Sequence, residues 1–322
     1  MRAYSRFHRH FVSASPKRSS TSALMLAFAA GLLMAALKTV AAVVTGSASM
    51  QAEAVHSWAD TATDGFLVAA YWNARRPADD AHSLGYGRES YVWSLFGAIA
   101  MCIVGAQFGI WRGVHQLSSP EAATEYLFGY LVIGVVSALQ ARSFVQALRF
   151  VRGRAAELQL GVVEHVFETS DSQLRMVVTG DFIALVGLAI AALGMGLHQL
   201  TGNVAYDAAG SILIGLLMGV TGFVLINLNR RYLAGMPLSP TRRARAIALI
   251  RAAPEVTRVT RFFAEFIGPD QLALVVHVGL AGTHTQDELA RILRALEQRI
   301  MAHKNVGLAV LTLASPDEPD LT

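Results

Sequence analysis

The sequence predicts an α-helical membrane protein, with six transmembrane helices followed by a small cytoplasmic α+β domain of order αββαβ. Three observations carry this. The 322 residues are 53% hydrophobic and only 16% charged, with a mean hydropathy of +0.42, too apolar for a soluble chain of this length. Apolar runs cover residues 22–46, 48–73, 90–115, 124–146, 173–198 and 204–228, each near the ~20 residues that cross the hydrocarbon as a helix. From about Ser239 the composition changes, and shorter segments of alternating and helical period replace the long runs.

The segment 1–21 holds Arg2, Arg6, Arg9, Lys17 and Arg18 and no acid. It reads as the cytoplasmic flank of the first span, because the apolar run behind it exceeds the roughly 7–15 residues of a signal-peptide core. His8 and His10 belong to this solvated basic tail. Arg75, Arg76 and Arg88 lie between the second and third spans, Arg149, Arg152 and Arg154 between the fourth and fifth, and Arg230, Arg231, Arg242, Arg243 and Arg245 after the sixth. The three opposite connections contain a single basic residue, Arg112. Excess Lys and Arg stay inside, so both termini are expected in the cytoplasm, with a bacterial-type inner membrane as the site. These charges account for the pI of 9.4, and no basic patch interleaved with aromatics points to nucleic acid. The single cysteine, Cys102, excludes an internal disulfide. In the sixth span, Gly210, Gly215 and Gly219 read as close helix packing, and Asp207 as the cap of its own helix.

After the spans (22–235), residues 236–316 form the second domain. "SPTRRARAIALIRAAPEV" reads as a short helix, and "VTRVTRFFAEFIG" and "DQLALVVHVGLAG" as strands around Gly268-Pro269-Asp270. "TQDELARILRALEQRIMAH" has helical period and "VGLAVLTLA" is a last strand. The acidic tail at 317–322 reads as frayed.

The second span carries the chemistry. At 100° per residue Glu53, His56, Asp60 and Asp64 fall at about 0°, 300°, 340° and 20°, a single stripe on the helix. Ionisable residues at membrane depth face protein, water or an ion, and are functional by default. His56 and Asp60, four apart, are a half-shell for a divalent transition metal. A buried hydrogen-bonded pair is the competing reading of these two residues alone. Asp181, mid-way along the fifth span, is the third candidate ligand. Water, Asp64 or Glu53 could complete the set, and Asp64 could lie near enough to the cytoplasmic half to be wetted. Glu164, His165 and Glu168 read as a solvated loop face beside the fifth span.

In the loop "RRPADDAHSLGYGRES", Asp79, Asp80 and His82 stand among turn-forming Pro and Gly residues. Taken with "SMQAEAVHSWAD", the fifth-span Asp181, "YDAAGSILIGLLMG" and the small C-terminal domain, this order resembles the cation diffusion facilitator family from about residue 22 to 315. The resemblance implies a homodimer with a ferredoxin-like cytoplasmic domain. It implies export of Zn²⁺, or in some members Mn²⁺, Fe²⁺, Co²⁺ or Ni²⁺, in exchange for protons. It carries over His56, Asp60 and Asp181 as transport ligands.

The departures from that pattern are specific. The position of the family's fourth ligand is Val177, the glutamate of one family branch is Gly180, and Tyr86 stands where a further loop histidine is expected. Asp79 and His82 therefore make at most a two-ligand loop site, and a polar turn is the competing reading. His277 matches a metal position of some members, while Thr260, Thr312 and Ala314 occupy the companion positions, so the domain is expected to dimerise rather than to sense metal. A non-transporting dimeric membrane scaffold is the alternative that Val177, Gly180 and Tyr86 leave open. No nucleotide loop, nucleophile elbow or Cys-rich set supports an enzyme.

Overall fold

The computed structural model describes residues 21–73, 76, 78–119, 125–158, 161–303 and 305–321. The basic tail with His8 and His10 lies outside the described residues. Six long helices form where the apolar runs stand: α1 (Thr21–Thr45), α2 (Ala48–Asn73), α3 (Glu89–Ser118), α4 (Tyr126–Leu158), α6 (Ser172–Thr201) and α7 (Ala205–Leu233). A short helix α5 (Val162–Glu168) precedes α6. Five of the six are long and apolar enough to cross a membrane. The exception is α2, whose 26 residues are long enough at about 1.5 Å each but which carries Glu53, Asp60 and Asp64. It packs against α1, α3 and α6, and half of its residues are buried, so protein covers much of its polar stripe.

Several boundaries differ from the sequence reading. The fourth span was expected to end near residue 146, but α4 continues to Leu158, because "VQALRFVRGRAAEL" is rich in good helix formers. Arg149, Arg152 and Arg154 are therefore on a helix rather than in a loop. His165, expected on a solvated face, is buried in α5. Within α3 the residues Met101–Gly105 make a π-helical turn. Gly109 of α3 and Gly215 of α7 let these two helices approach until a Cβ on Gly109 would stand 2.8 Å from the Cα of Gly215, the small-residue packing expected between lipid-embedded helices. The bundle core is built largely of Ala and Met, including Ala41, Met50, Ala98, Met101, Met195 and Met218.

The second compact unit contains residues 231–321 and the loop ending at Arg88. Helix α8 (Pro240–Arg251), strands β1 (Val256–Gly268) and β2 (Gln271–Leu280), helix α9 (Gln286–Met301) and strand β3 (Val306–Leu313) follow in the expected αββαβ order. β1 pairs antiparallel with β2 across a turn at Asp270, and β3 runs parallel to β2. The helices cover one face of the sheet through Ile247, Ile250, Phe262, Val276, Val278, Leu296 and Leu311. α9 opens on a capping box in which Thr285 and Glu288 satisfy each other's backbone amides.

The expected fraying of the tail is not what the structure shows. The Asp320 carboxylate accepts from Arg251 at 2.6 Å and from the Val259 amide at 3.0 Å, and the Leu321 amide donates to the Val259 carbonyl at 2.8 Å. Glu318 meets Thr260, Arg261 and His277 at 2.7, 3.0 and 3.3 Å. The acids of the tail thus find the bases of β1 and α8, and the open edge of β1 is covered.

Candidate metal centre

Helix α2 places its stripe toward α1 and α6. His56 is fully buried, and its Nε2 lies 3.2 Å from Oδ2 of Asp60, which is 30% exposed. That approach is not aligned as a hydrogen bond, and among the described residues His56 Nε2 has no hydrogen-bond partner. On the other side of the ring, Nδ1 lies 3.4 Å from Oε1 of Glu53. The second carboxylate oxygen of Glu53 accepts from Lys38 of α1 at 2.8 Å, and both of these residues are buried. Glu53 therefore stands engaged on both oxygens in this conformation, by Lys38 and His56.

Asp181, on α6, is held from α4: Gln140 Nε2 donates to Oδ1 at 2.6 Å and Ser143 Oγ to Oδ2 at 2.7 Å. Asp64, one turn beyond Asp60, lies against Gly31 of α1, where an added Cβ would be 3.3 Å from its Oδ2. Asp60, Asp64 and Asp181 interact electrostatically with one another. Three like charges in one low-dielectric region repel unless a cation or protons reside among them. In this conformation, however, no three His, Cys, Asp or Glu side chains among the described residues are gathered tightly enough to hold one ion. The structure brings His56 and Asp60 together, with Asp64 and Asp181 in their neighbourhood and Asp181 on separate partners. Val177, at the expected fourth position, is 39% exposed.

The loop pair is closed on itself. Asp79 Oδ1 accepts from the Ala81 and His82 amides at 3.1 and 2.8 Å, and Oδ2 from the Tyr86 hydroxyl at 2.7 Å. The Tyr86 bond, more than any other contact, holds the Asp79 carboxyl below its ordinary value, with the His82 amide adding to it. The His82 ring stacks on Tyr86 at 3.9 Å, and His82 Nδ1 is 3.6 Å from Asp79. Tyr86 thus joins a polar turn at the position where a third loop ligand was sought. His277 likewise faces Glu318.

Asp207 stands in the first turn of α7, as expected, but the helix start that its carboxylate caps is that of α2. Its buried carboxylate accepts from Ser47 Oγ at 2.7 Å, from the Ala48 amide at 2.6 Å, and from both the amide and the hydroxyl of Ser49. It caps the N-terminus of α2, 159 residues away in sequence, and so fixes the end of the helix that carries His56 and Asp60. Sequence reasoning missed Lys38, Gln140 and Ser143. A lone lysine in an apolar run is a signal for the first; Gln140 and Ser143 are ordinary polar residues until the fold brings Asp181 beside them.

The cation efflux transmembrane domain matches residues 24–234 of this chain. The chain is 27% identical over 286 residues to the mitochondrial proton-coupled zinc antiporter SLC30A9 of Homo sapiens, covering 86% of this chain and 50% of that protein. It is 29% identical over 266 residues to metal tolerance protein C4 of Arabidopsis thaliana, with 83% and 57% covered. With the zinc transporter ZitB of Escherichia coli (strain K12) it shares 24% identity over 310 residues, 95% of this chain and 91% of that protein. The chain spans about half the length of the first of these relatives. Because the matched domain runs from the first turns of α1 to the end of α7, over a bundle whose polar residues converge on α2, the chain belongs to the cation efflux family, the cation diffusion facilitators.

Proposed function

We propose that this protein is a secondary active exporter that moves Zn²⁺ out of the cytoplasm in exchange for protons. His56, Asp60 and Asp181 bind the ion, and Asp64 lies beside its path. One observation carries the reading: the buried His56 Nε2, free of hydrogen bonds among the described residues, stands 3.2 Å from Asp60 with Asp64 and Asp181 in electrostatic reach. An imidazole lone pair and carboxylate oxygens form a donor set for a divalent transition metal. Asp181 joins by exchanging Gln140 and Ser143 for the ion. The relatives named as zinc transporters support Zn²⁺ as the cargo; Mn²⁺, Fe²⁺, Co²⁺ and Ni²⁺ suit the same donors.

Metal and protons compete for one set of groups, since the ligands bind metal only when deprotonated. Two mutually exclusive loads at a site that opens alternately to each side give antiport. The distribution of Lys and Arg supports cytoplasmic termini, in a bacterial inner membrane. Asp79 and His82 serve the turn, in which the Asp79 oxygens accept from the Ala81 and His82 amides and from the Tyr86 hydroxyl. The C-terminal unit serves as a homodimer contact: Phe263, Val275 and Val310, aligned across the three strands, form an exposed apolar row on the sheet.

Reconstituted vesicles with an imposed pH gradient and a panel of divalent ions test the proposal. Zn²⁺ should move against the proton gradient, and Asp60→Ala and Asp181→Ala should each lower transport by at least about 10²-fold, beyond the loss typical for partners of ligands. Unchanged transport in both variants would remove the site assignment. Absence of any ion movement under every gradient would favour the scaffold reading, to which the lack of a tight three-residue cluster among the described residues lends its support.

A further inference from the structure

We propose that Lys38 and Glu53 are positioning residues for His56: their buried ion pair holds the imidazole proton on Nδ1 and leaves the Nε2 lone pair aimed at the ion beside Asp60. This rests on the transport reading above, in which neither Lys38 nor Glu53 is a ligand.

The three side chains form a chain of contacts through the bundle. Lys38 Nζ is 2.8 Å from Glu53 Oε2, and Glu53 Oε1 is 3.4 Å from His56 Nδ1. All three residues are at most 1% exposed. A carboxylate paired with an ammonium only accepts, so the ring nitrogen facing it must donate, and in the neutral imidazole the other nitrogen keeps its lone pair. That other nitrogen, Nε2, is the buried atom without a hydrogen bond, and it faces Asp60. Tautomer and ring orientation are thus set by one contact, as they are where a carboxylate backs a metal-ligating histidine.

Lys38 is what makes a carboxylate tolerable there, since a buried charge without a partner is costly. Gly187 of α6 supplies the space: a Cβ at that position would overlap Glu53 Oε1. The arrangement therefore draws on α1, α2 and α6 at once, and only the imidazole face it leaves open is directed at Asp60.

The test uses the full chain in vesicles with Zn²⁺ as the probe. Lys38→Met combined with Glu53→Leu removes both charges and fills the space with apolar groups, a replacement that buried ion pairs tolerate. The orienting role predicts that KM for Zn²⁺ rises about 10–100-fold in this variant, with kcat changed far less. Lys38→Met combined with Glu53→Gln keeps an uncharged acceptor for Nδ1 and should return KM to within about threefold of the unmodified protein. A pair that merely ties α1 to α2 predicts the same KM in both double variants, and that result overturns the proposal.

Nitrogen-15 NMR of the unmodified protein, reading the histidine signal lost in His56→Asn, gives an answer independent of how the double variants fold. A protonated Nδ1 and a bare Nε2 in the neutral ring are expected; a protonated Nε2 overturns the proposal. Asp60→Ala in the same vesicles separates the two levels. If it is inert while the Met/Leu variant keeps the unmodified KM, only the orienting role falls; if it transports normally, the transport reading falls and this proposal with it.

Discussion

Gly187 shows how much of this site is decided by single atoms. A methyl group there would occupy the place of a Glu53 carboxylate oxygen, so Gly187→Ala must displace Glu53 or part α2 from α6. Overpacking of this kind costs about 1–3 kcal/mol, and a lowered midpoint of thermal unfolding in detergent is the expected outcome. At this scale the sequence was legible in part. Charged or imidazole side chains in an apolar helix mark themselves, which is how His56, Asp60 and Asp181 stood out. Glycines and neutral polar residues do not, because their meaning lies in the neighbour they admit or bind. Gln140 and Ser143 matter only because α4 lies beside Asp181.

Helix α2 owes its position to a cap from another element. Asp207 of α7 satisfies the Ala48 and Ser49 amides and two serine hydroxyls at its start, donors that no intrahelical carbonyl can meet. Asp207→Ala leaves them without their acceptor in a buried place. The expected loss is about 1–2 kcal/mol, together with faster hydrogen exchange confined to the first turn of α2. Capping by Asp207 was legible as a type of role, since an acid at a helix start suits the dipole. Which helix it caps was not, because the contact spans about 160 residues.

For the molecule as a whole, two predictions concern the C-terminal unit. The Thr260 hydroxyl, followed by the His277 ring and the Arg261 guanidinium, holds the Glu318 carboxyl below its ordinary 4.5. A carboxyl lowered by folding stabilises the fold above its unfolded value, and that contribution disappears as pH falls through the folded value. Exchange at the Val259 and Leu321 amides, corrected for intrinsic rate, should therefore be slow above pH 4.5 and rise below it, and Glu318→Gln should flatten that step. The exposed row Phe263, Val275 and Val310 carries the homodimer proposal. Phe263→Glu should shift the protein toward monomer in light scattering of the detergent-solubilised chain, and an unchanged mass would place the dimer contact elsewhere.

The sequence by itself determined the bundle of long helices, the αββαβ order of the second unit and the two helices on which His56, Asp60 and Asp181 stand. Those features follow from periodicity and from the cost of charge in lipid, both of which are local properties of the chain. Tertiary structure alone decided that Glu53 belongs to Lys38, that Asp181 rests on Gln140 and Ser143, and that the acidic tail lies on β1 instead of fraying. Each is a pairing between residues distant in the chain, and a buried polar group takes whichever partner the packing brings within reach.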